Sequence, residues 1–175
     1  MAAYYTYLIS SLPMLQFGME PPFSFEGFIE RCQGLIPDAQ IDTLKMVPEV
    51  WAYEGGQPTL KKWRTFDKKL RNELVKLRAA RKHLDPVKYL RKDGYVEPYI
   101  IHIAMGAIRN TSILEGEKML DEARWQALEE LSLGHFFDID FLIIYAQKLL
   151  ILERWERIRI ADKTQLLQEV LSENP

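Results

Sequence analysis

Hydrophobic residues recur at helical spacing along most of the chain, and most clearly between Thr59 and Leu84. No Gly or Pro interrupts this stretch, and Thr59 is a favourable N-terminal cap. Large apolar residues line one face: Trp63, Phe66, Leu70, Leu74, Leu77 and Leu84. The pattern predicts one continuous amphipathic helix about 39 Å long, at 1.5 Å per residue.

The chain before this stretch is divided by prolines, so only short helices fit there. Ser24 favours the start of one helix, and Pro37 or Asp38 favours the start of another. Residues 4–12 contain aromatic and β-branched residues that suit a strand, but their apolar residues also fall at helical spacing. We interpret them as a helix.

Further helices are predicted after Asp85 and Pro86, which end the long helix and open a short turn. One runs from Glu97 to about Asn110, and a second spans Ile113–Leu133. The apolar residues of the second should share one side: Ile113, Leu120, Ala123, Ala127 and Leu131.

The last long helix is predicted from Asp138 to about Ile158. Residues 141–152 are apolar almost all round, which is typical of a buried helix, so we expect them to be the most buried segment. A final amphipathic segment should follow Asp162. It would use three apolar residues: Leu166, Leu167 and Val170. Trp125 and Trp155 should be largely buried.

Together these elements predict an all-α fold, a helical bundle with one long basic helix forming an arm and a buried C-terminal helix. A length of 175 residues suits a single domain. A subdivision is conceivable into N-terminal short helices (1–56), a basic helical arm (57–94) and a helical core (95–175).

Composition places the chain in the ordinary globular class, with 47% hydrophobic and 27% charged residues. The single cysteine, Cys32, has no partner for an internal disulfide, which fits a reducing compartment. The N-terminus lacks a secretory pattern, and no apolar stretch approaches the ~20 residues needed to span a bilayer. We therefore expect a cytoplasmic protein.

Charge is distributed very unevenly. Residues 59–92 hold 13 of the 23 basic residues but only three of the 25 acidic ones, which leaves 10 basic and 22 acidic residues elsewhere. Six of these cations follow alternating steps of three and four residues, broken only by Val75, and form what we call the basic stripe: Lys61, Arg64, Lys68, Arg71, Arg78 and Lys82. The stripe should lie beside the apolar seam of the long helix.

A stripe of this kind can bind phosphate backbones, anionic lipid headgroups or an acidic protein helix. It can equally be a solvated face, or it can pair internally with the acidic helix after Ile113. Among the partners we favour an acidic protein. Nucleic acid is disfavoured, because Trp63 and Phe66 lie on the packing seam rather than within the stripe and the isoelectric point is about 6.0.

Spacings typical of phosphate loops, dinucleotide sites, paired cysteines and zinc proteases are missing from the sequence. The nearest approach to a metal site is His135 with Asp138 and Asp140, but Asp138 is better interpreted as a helix cap. We interpret His102 as a core histidine. The carboxylates elsewhere are interpreted as solvated helix faces: Glu115, Glu117, Asp121, Glu122, Glu153 and Glu156. The sequence therefore predicts no catalytic residue, cofactor or metal.

Three segments carry a family resemblance: YYTYLISSLPML at 4–15, PPFSFEGFIERC at 21–32, and LDEARWQALEELSLGHFFDIDFLIIYAQKLLILERW at 120–155. Together they resemble an uncharacterised bacterial family encoded within V/A-type ATPase operons. The resemblance implies a protein that takes the place of the ATPase C subunit, the counterpart of eukaryotic subunit d. That subunit joins the rotating central stalk to the membrane ring.

The expected function is thus a non-enzymatic subunit of an ion-translocating ATPase, peripheral on the cytoplasmic face of the membrane. Its expected partners are the central-stalk subunits and the membrane ring. Two alternatives remain open: a basic-helix adaptor for nucleic acid or another acidic partner, and an enzyme of unknown type. The archaeal-type C subunit has three similar helical units, whereas this chain is shorter and shows no internal repeat.

Overall fold

A computed structural model describes residues 3–92 and 94–173, with side chains described for 5–92 and 94–164. Over these residues the chain forms seven α-helices and no strand, which confirms the predicted all-α fold. The helices are α1 (Ala3–Ser11), α2 (Phe25–Cys32), α3 (Asp38–Lys45), α4 (Pro58–Arg81), α5 (Pro98–Arg109), α6 (Ile113–Leu131) and α7 (Ile139–Glu173). A short 3₁₀ helix, Pro86–Tyr89, follows α4.

The chain divides into two compact units. The first contains Met1–Pro48 and His135–Pro175, and the second contains Glu49–Gly134. Helices α1, α2, α3 and α7 belong to the first unit, and α4, α5 and α6 belong to the second. The predicted subdivision at 1–56, 57–94 and 95–175 follows chain order, whereas the first unit joins the two ends of the described chain.

Helix α2 begins where two acceptors meet its free N–H groups. The Ser24 hydroxyl oxygen accepts the N–H of Gly27 at 3.1 Å, as the sequence predicts. In addition, Glu153 on α7 accepts the N–H of Phe25 at 2.8 Å. A carboxylate at this end also offsets the helix dipole. The interpretation of Glu153 as a solvated side chain is therefore wrong, since this residue fastens α7 to α2.

An aromatic cluster around Tyr145 forms part of the first unit's core. The Tyr145 ring stacks on Phe28 with centroids 5.4 Å apart, and its hydroxyl donates to the Pro13 carbonyl at 2.9 Å. Burial raises the pKa of Tyr145 to about 12. Residues 141–152 are buried except at Phe141, Lys148 and Leu150, so the prediction of a buried helix here is confirmed.

Helix α7 continues to Glu173 without the break predicted between Ile158 and Asp162. No Gly or Pro lies between these two residues, so nothing in the local sequence interrupts the helical hydrogen bonds. The side chains of Leu166, Leu167 and Val170 lie outside the described residues.

Helix α4 is shorter at its C-terminal end than predicted. Its cap is Gln57, whose side chain accepts the N–H of Leu60 at 2.7 Å, so Thr59 lies inside the helix. At the other end His83 adopts a φ of +53°, and the N–H of Leu84 bonds to the carbonyl of Ala79 at 3.0 Å. This is the left-handed reversal that ends many helices, here without its usual glycine. Leu84 therefore leaves the apolar face and is 50% exposed.

The second unit is held by α4, α5 and α6 packed together. Its core is a cluster of buried residues: Leu70, Leu74, Ile100, Ala104 and Leu120. Because Ile100 and Ala104 face this cluster, His102 points the other way and is exposed, so its prediction as a core residue is wrong. Ile113 is also misplaced by the sequence pattern. It stands at the first position of α6 and is 86% exposed.

The burial predicted for Trp125 and Trp155 is confirmed only for Trp125. Trp125 is buried, and its ring N–H donates to Glu129 at 2.9 Å. Trp155 is only partly buried.

Replacing Leu149 with Ala should lower the free energy of unfolding by about 2 to 5 kcal/mol, because the side chain is fully buried and would leave a cavity. Urea denaturation of both proteins measures the difference. Ile160→Ala on the same helix removes an exposed side chain and should cost less than about 0.5 kcal/mol. Equal losses in the two variants would contradict the described core.

Gly116→Ala should destabilise the second unit by about 1 to 3 kcal/mol, although alanine favours helices. A Cβ at this position would lie 2.6 Å from the carbonyl oxygen of Ala107, so α5 and α6 would have to move apart. Gly56→Ala is the control, since a Cβ there meets nothing within 4 Å. Denaturation should leave the control within about 0.5 kcal/mol of wild type. A neutral Gly116→Ala would show that these helices tolerate wider separation.

Candidate functional site

The basic stripe lies on α4, but its six members differ in what they contact. Lys61 and Lys82 are exposed and Lys68 is partly exposed. Among the described residues, none of these three lysines has a hydrogen-bond or ion-pair partner for its side-chain ammonium group. The three arginines of the stripe all contact other parts of the second unit.

Arg64 and Arg71 fasten the segment before α4 to the helix. Arg64 donates to the carbonyl of Tyr53 at 2.6 Å. The Arg71 guanidinium lies over the Trp51 ring, 5.3 Å from its centroid, and Arg71 also donates to Asp67 at 2.6 Å. These two cations are therefore partly engaged within the protein, which reduces what they can offer to a partner.

Beneath the stripe is a buried ionic network. Arg124 of α6 donates to Asp67 of α4 at 2.9 Å and to Asp121 at 2.7 Å, and both carboxylates are almost inaccessible. Burial by itself would lower the pKa of Arg124, but the two carboxylates more than offset it and raise the pKa. The interpretation of Asp121 as a solvated carboxylate is therefore wrong. Local spacing does not predict this network, because Asp67 and Arg124 are 57 positions apart in the chain.

Arg78 makes the looser contact of the three arginines. Its guanidinium is 3.8 Å from Glu117 on α6, and both side chains are partly exposed. The pairing of the stripe with the acidic helix, which the sequence left as one alternative, thus occurs at this position. An exposed pair of this kind contributes little to stability.

A shallow cleft of about 330 Å³ lies near the start of the stripe. Lys61 and Lys62 border it together with the aromatic side chains of Phe66 and Tyr99. On its wall Lys69 pairs with Glu97 at 2.8 Å, and this hydrogen bond lowers the pKa of Glu97. The charge of Lys69 is balanced by Glu97, so the ammonium groups that the cleft offers are those of Lys61 and Lys62. They lie beside apolar walls, an arrangement that suits an acidic side chain of a partner.

The structure brings His135, Asp138 and Asp140 together in the first unit. The Nδ1 atom of His135 is 2.6 Å from one oxygen of Asp138 and 3.8 Å from Asp140. The other Asp138 oxygen accepts the N–H of Phe141 at 2.9 Å, which confirms that Asp138 caps α7. Both Asp138 oxygens are therefore already hydrogen-bonded, and the positive end of the helix dipole disfavours a cation here. A metal bound through the Nδ1 atom of His135 would have to replace its contact with Asp138.

Two side chains that organise the basic region were missed by sequence reasoning. The guanidinium groups of Arg71 and Arg91 both lie over the Trp51 ring, that of Arg91 at 4.3 Å from its centroid. Asn72 is buried and bonds both the N–H and the carbonyl of Arg91. No spacing signals these contacts, because Trp51 precedes α4 in an irregular segment and Asn72 stands among charged residues. Asn72 faces inward on a helix that otherwise looks basic.

None of the helices in the described residues has the length and apolarity needed to cross a bilayer.

Residues 40–173 match one family model, whose description is a protein of unknown function (DUF2764). No curated protein and no solved structure matches the chain.

Asp138→Ala should lower the free energy of unfolding by about 1 kcal/mol, because the first turn of α7 loses its cap. Asp138→Asn keeps an oxygen acceptor and should cost only a few tenths of a kcal/mol, roughly the spread among good capping residues. Urea denaturation distinguishes the two. For wild type we expect the same melting temperature with chelator and with added divalent ions. An ion-dependent rise that disappears in His135→Ala would show that the cluster binds metal.

Proposed function

The chain belongs to the DUF2764 family, and on that premise we propose that it is a non-enzymatic subunit of a bacterial V/A-type ATPase. In this role it links the central stalk to the membrane ring and lies on the cytoplasmic face of the membrane. The observation that carries the proposal is the likeness of segments 4–15, 21–32 and 120–155 to the family encoded within such operons.

Those three segments supply helices and packing residues rather than a reactive centre. They include most of α1, all of α2 and the first half of α7. Tyr145 and Phe28, which stack on each other, both belong to them. A likeness concentrated in such residues indicates a shared packed fold, which is what a coupling part uses.

A part that transmits torque must resist bending, and this requirement favours long helices with fixed neighbours. Helix α4 has 24 residues and is tied to α6 through the buried Asp67 and Arg124 pair. Helix α7 is tied to α2 through Glu153. Each unit thus contains a long helix anchored by a specific polar contact, in addition to its apolar packing.

Lys61, Lys68 and Lys82 are the members of the basic stripe left for a partner. They would meet acidic groups of the stalk or ring, where they would speed association and fix orientation more than they would add affinity. Lys61 also borders the cleft beside Phe66 and Tyr99, which gives an acidic side chain an apolar wall to pack against.

The alternatives have less support from the geometry. An adaptor for single-stranded nucleic acid would need accessible aromatic rings among the cations of α4, but Trp63 is buried and Phe66 is partly buried. For an enzyme, Cys32 is the one thiol, and burial raises its pKa to about 12, so it is protonated at neutral pH. A nucleic-acid adaptor would still be recognised by an affinity for duplex that falls steeply with salt.

The test is assembly of the purified chain with purified central-stalk subunits and membrane ring. Wild type should bind, and Lys61→Glu/Lys68→Glu/Lys82→Glu should associate about tenfold more slowly at low salt because electrostatic steering is reversed. These three lysines are chosen because Arg64 and Arg71 hold the fold together, so reversing those would confuse lost binding with lost stability.

The matched control is Lys45→Glu/Lys118→Glu/Lys163→Glu, which makes the same change in net charge at exposed lysines outside the stripe. Circular dichroism should show both triple variants folded. If the stripe variant and the control associate equally fast, the stripe is only a solvated face. If wild type binds neither stalk nor ring, the proposed function itself fails.

A further inference from the structure

The connection between α4 and α5 carries exposed apolar side chains. We define the α4–α5 loop as residues 82–92. Within it Leu84 is 50% exposed, Val87 is 72% exposed and Tyr89 is 60% exposed. Val87, Lys88 and Tyr89 are consecutive and all exposed on the 3₁₀ helix. Scattered single apolar residues on a surface need no explanation, but three within six positions concentrate exposed apolar side chains in this loop.

The loop is held in this conformation by defined contacts. It begins at the left-handed residue His83, and the Asp85 carboxylate accepts the N–H of Val87 at 3.0 Å. It ends where Asn72 accepts the N–H of Arg91 at 3.1 Å and donates to its carbonyl at 2.7 Å. Both ends are therefore fixed to the second unit, so the exposure of the apolar side chains belongs to an ordered loop.

Free cations lie among these apolar residues. Lys82, Lys88 and Lys92 are exposed, and none has an ion-pair partner among the described residues. Asp85, the one acidic residue among 82–92, is used as a cap, and Asp93 follows this range in the sequence. The guanidinium of Arg91 lies over the Trp51 ring. The loop thus presents three lysine ammonium groups together with short apolar and tyrosine side chains.

We propose that the α4–α5 loop binds the surface of an anionic lipid bilayer, with Val87 and Tyr89 entering the headgroup region and the lysines contacting lipid phosphates. Lysines near such a surface are attracted to its negative potential, while tyrosine and aliphatic side chains partition into the interface. This inference goes beyond the proposed ATPase role and does not depend on it.

A lipid surface fits the loop better than a protein or nucleic acid does. The free cations of the loop lie beside exposed Val87 and Tyr89, and a bilayer surface meets both at once, because lysines contact its phosphates while apolar and tyrosine side chains enter the interface. Sites for single-stranded nucleic acid stack successive bases on several aromatic rings. The loop offers one tyrosine, Tyr89, and the nearby Trp51 ring is already contacted by two guanidinium groups.

The experiment is cosedimentation of the full chain with vesicles of equal parts phosphatidylglycerol and phosphatidylcholine, and with vesicles of phosphatidylcholine alone. Wild type should bind the anionic vesicles only, and less at high salt. Lys88→Gln/Lys92→Gln should weaken binding roughly 25-fold, at about fivefold per lysine. Val87→Ser/Tyr89→Ser, which leaves the charge unchanged, should weaken binding about tenfold or more through lost apolar contact.

The control variant is Lys118→Gln/Lys163→Gln, which removes the same charge from exposed positions elsewhere and should bind like wild type. Circular dichroism verifies that every variant is folded. The proposal is overturned if wild type ignores anionic vesicles, if it binds neutral ones equally, or if the loop lysine variant and the control lose the same affinity. An unchanged Val87→Ser/Tyr89→Ser would also overturn it, because adsorption would then be purely electrostatic. None of these results depends on whether the chain assembles with ATPase subunits.

Discussion

Two carboxylates buried in the second unit, Asp67 and Asp121, both bond the guanidinium of Arg124, and Asp67 accepts a further bond from Arg71. Removing two such charges from water costs several kcal/mol each, and only a partner with matching geometry offsets the cost. The pair from α4 to α6 therefore fixes which face of α4 points inward. Once that face is set, every cation at another angle on the helix has a defined exposure, so the basic stripe depends on this network.

The network is accompanied by a division of roles between arginines and lysines. All five arginines of residues 59–92 have contacts inside the second unit: Arg64, Arg71, Arg78, Arg81 and Arg91. Of the eight lysines there, only Lys69 and Lys76 are paired within the described part of the chain. The planar guanidinium forms directed bonds to carbonyls and stacks on rings, whereas the strongly hydrated ammonium remains in water at little cost. The six cations of the basic stripe look alike in sequence, but its three arginines are engaged in contacts within the protein.

The sequence predicted the features that depend on local spacing. Ser24 and Asp138 cap the helices expected of them, and the apolar run 141–152 is the buried part of α7. Predictions from the sequence are wrong where the deciding contact comes from a residue far away in the chain or from an unusual backbone conformation. Helix α4 ends at Arg81 because His83 adopts a left-handed φ, and no glycine marks this position in the sequence. Likewise, Asp121 looks like its solvated neighbours until Arg124 and the facing helix are known.

The candidate site was less accessible to sequence reasoning than the fold, because periodicity assigns residues to a face but not to partners. Spacing placed Arg64 and Lys68 in one stripe, yet only the structure separates the anchored Arg64 from the free Lys68. The cleft beside Lys61 brings together α4 and residues near the start of α5, such as Tyr99, which are remote in sequence. This proximity results from the packing of α4 and α5, and the sequence pattern of either helix alone does not predict it.

Some cations of the arm have a structural reason for their position, whereas the positions of others are explained only by a partner. Positive side chains in the last turn of a helix offset its dipole, so Arg78 and Arg81 have a structural reason to be there. Lys88 and Lys92 lie beyond the helix, where its dipole has little effect, and no acidic group among the described residues pairs with them. Concentrating unpaired like charges in one loop costs free energy through repulsion. The loop lysines therefore point to an external anionic partner more directly than the cations at the end of α4 do.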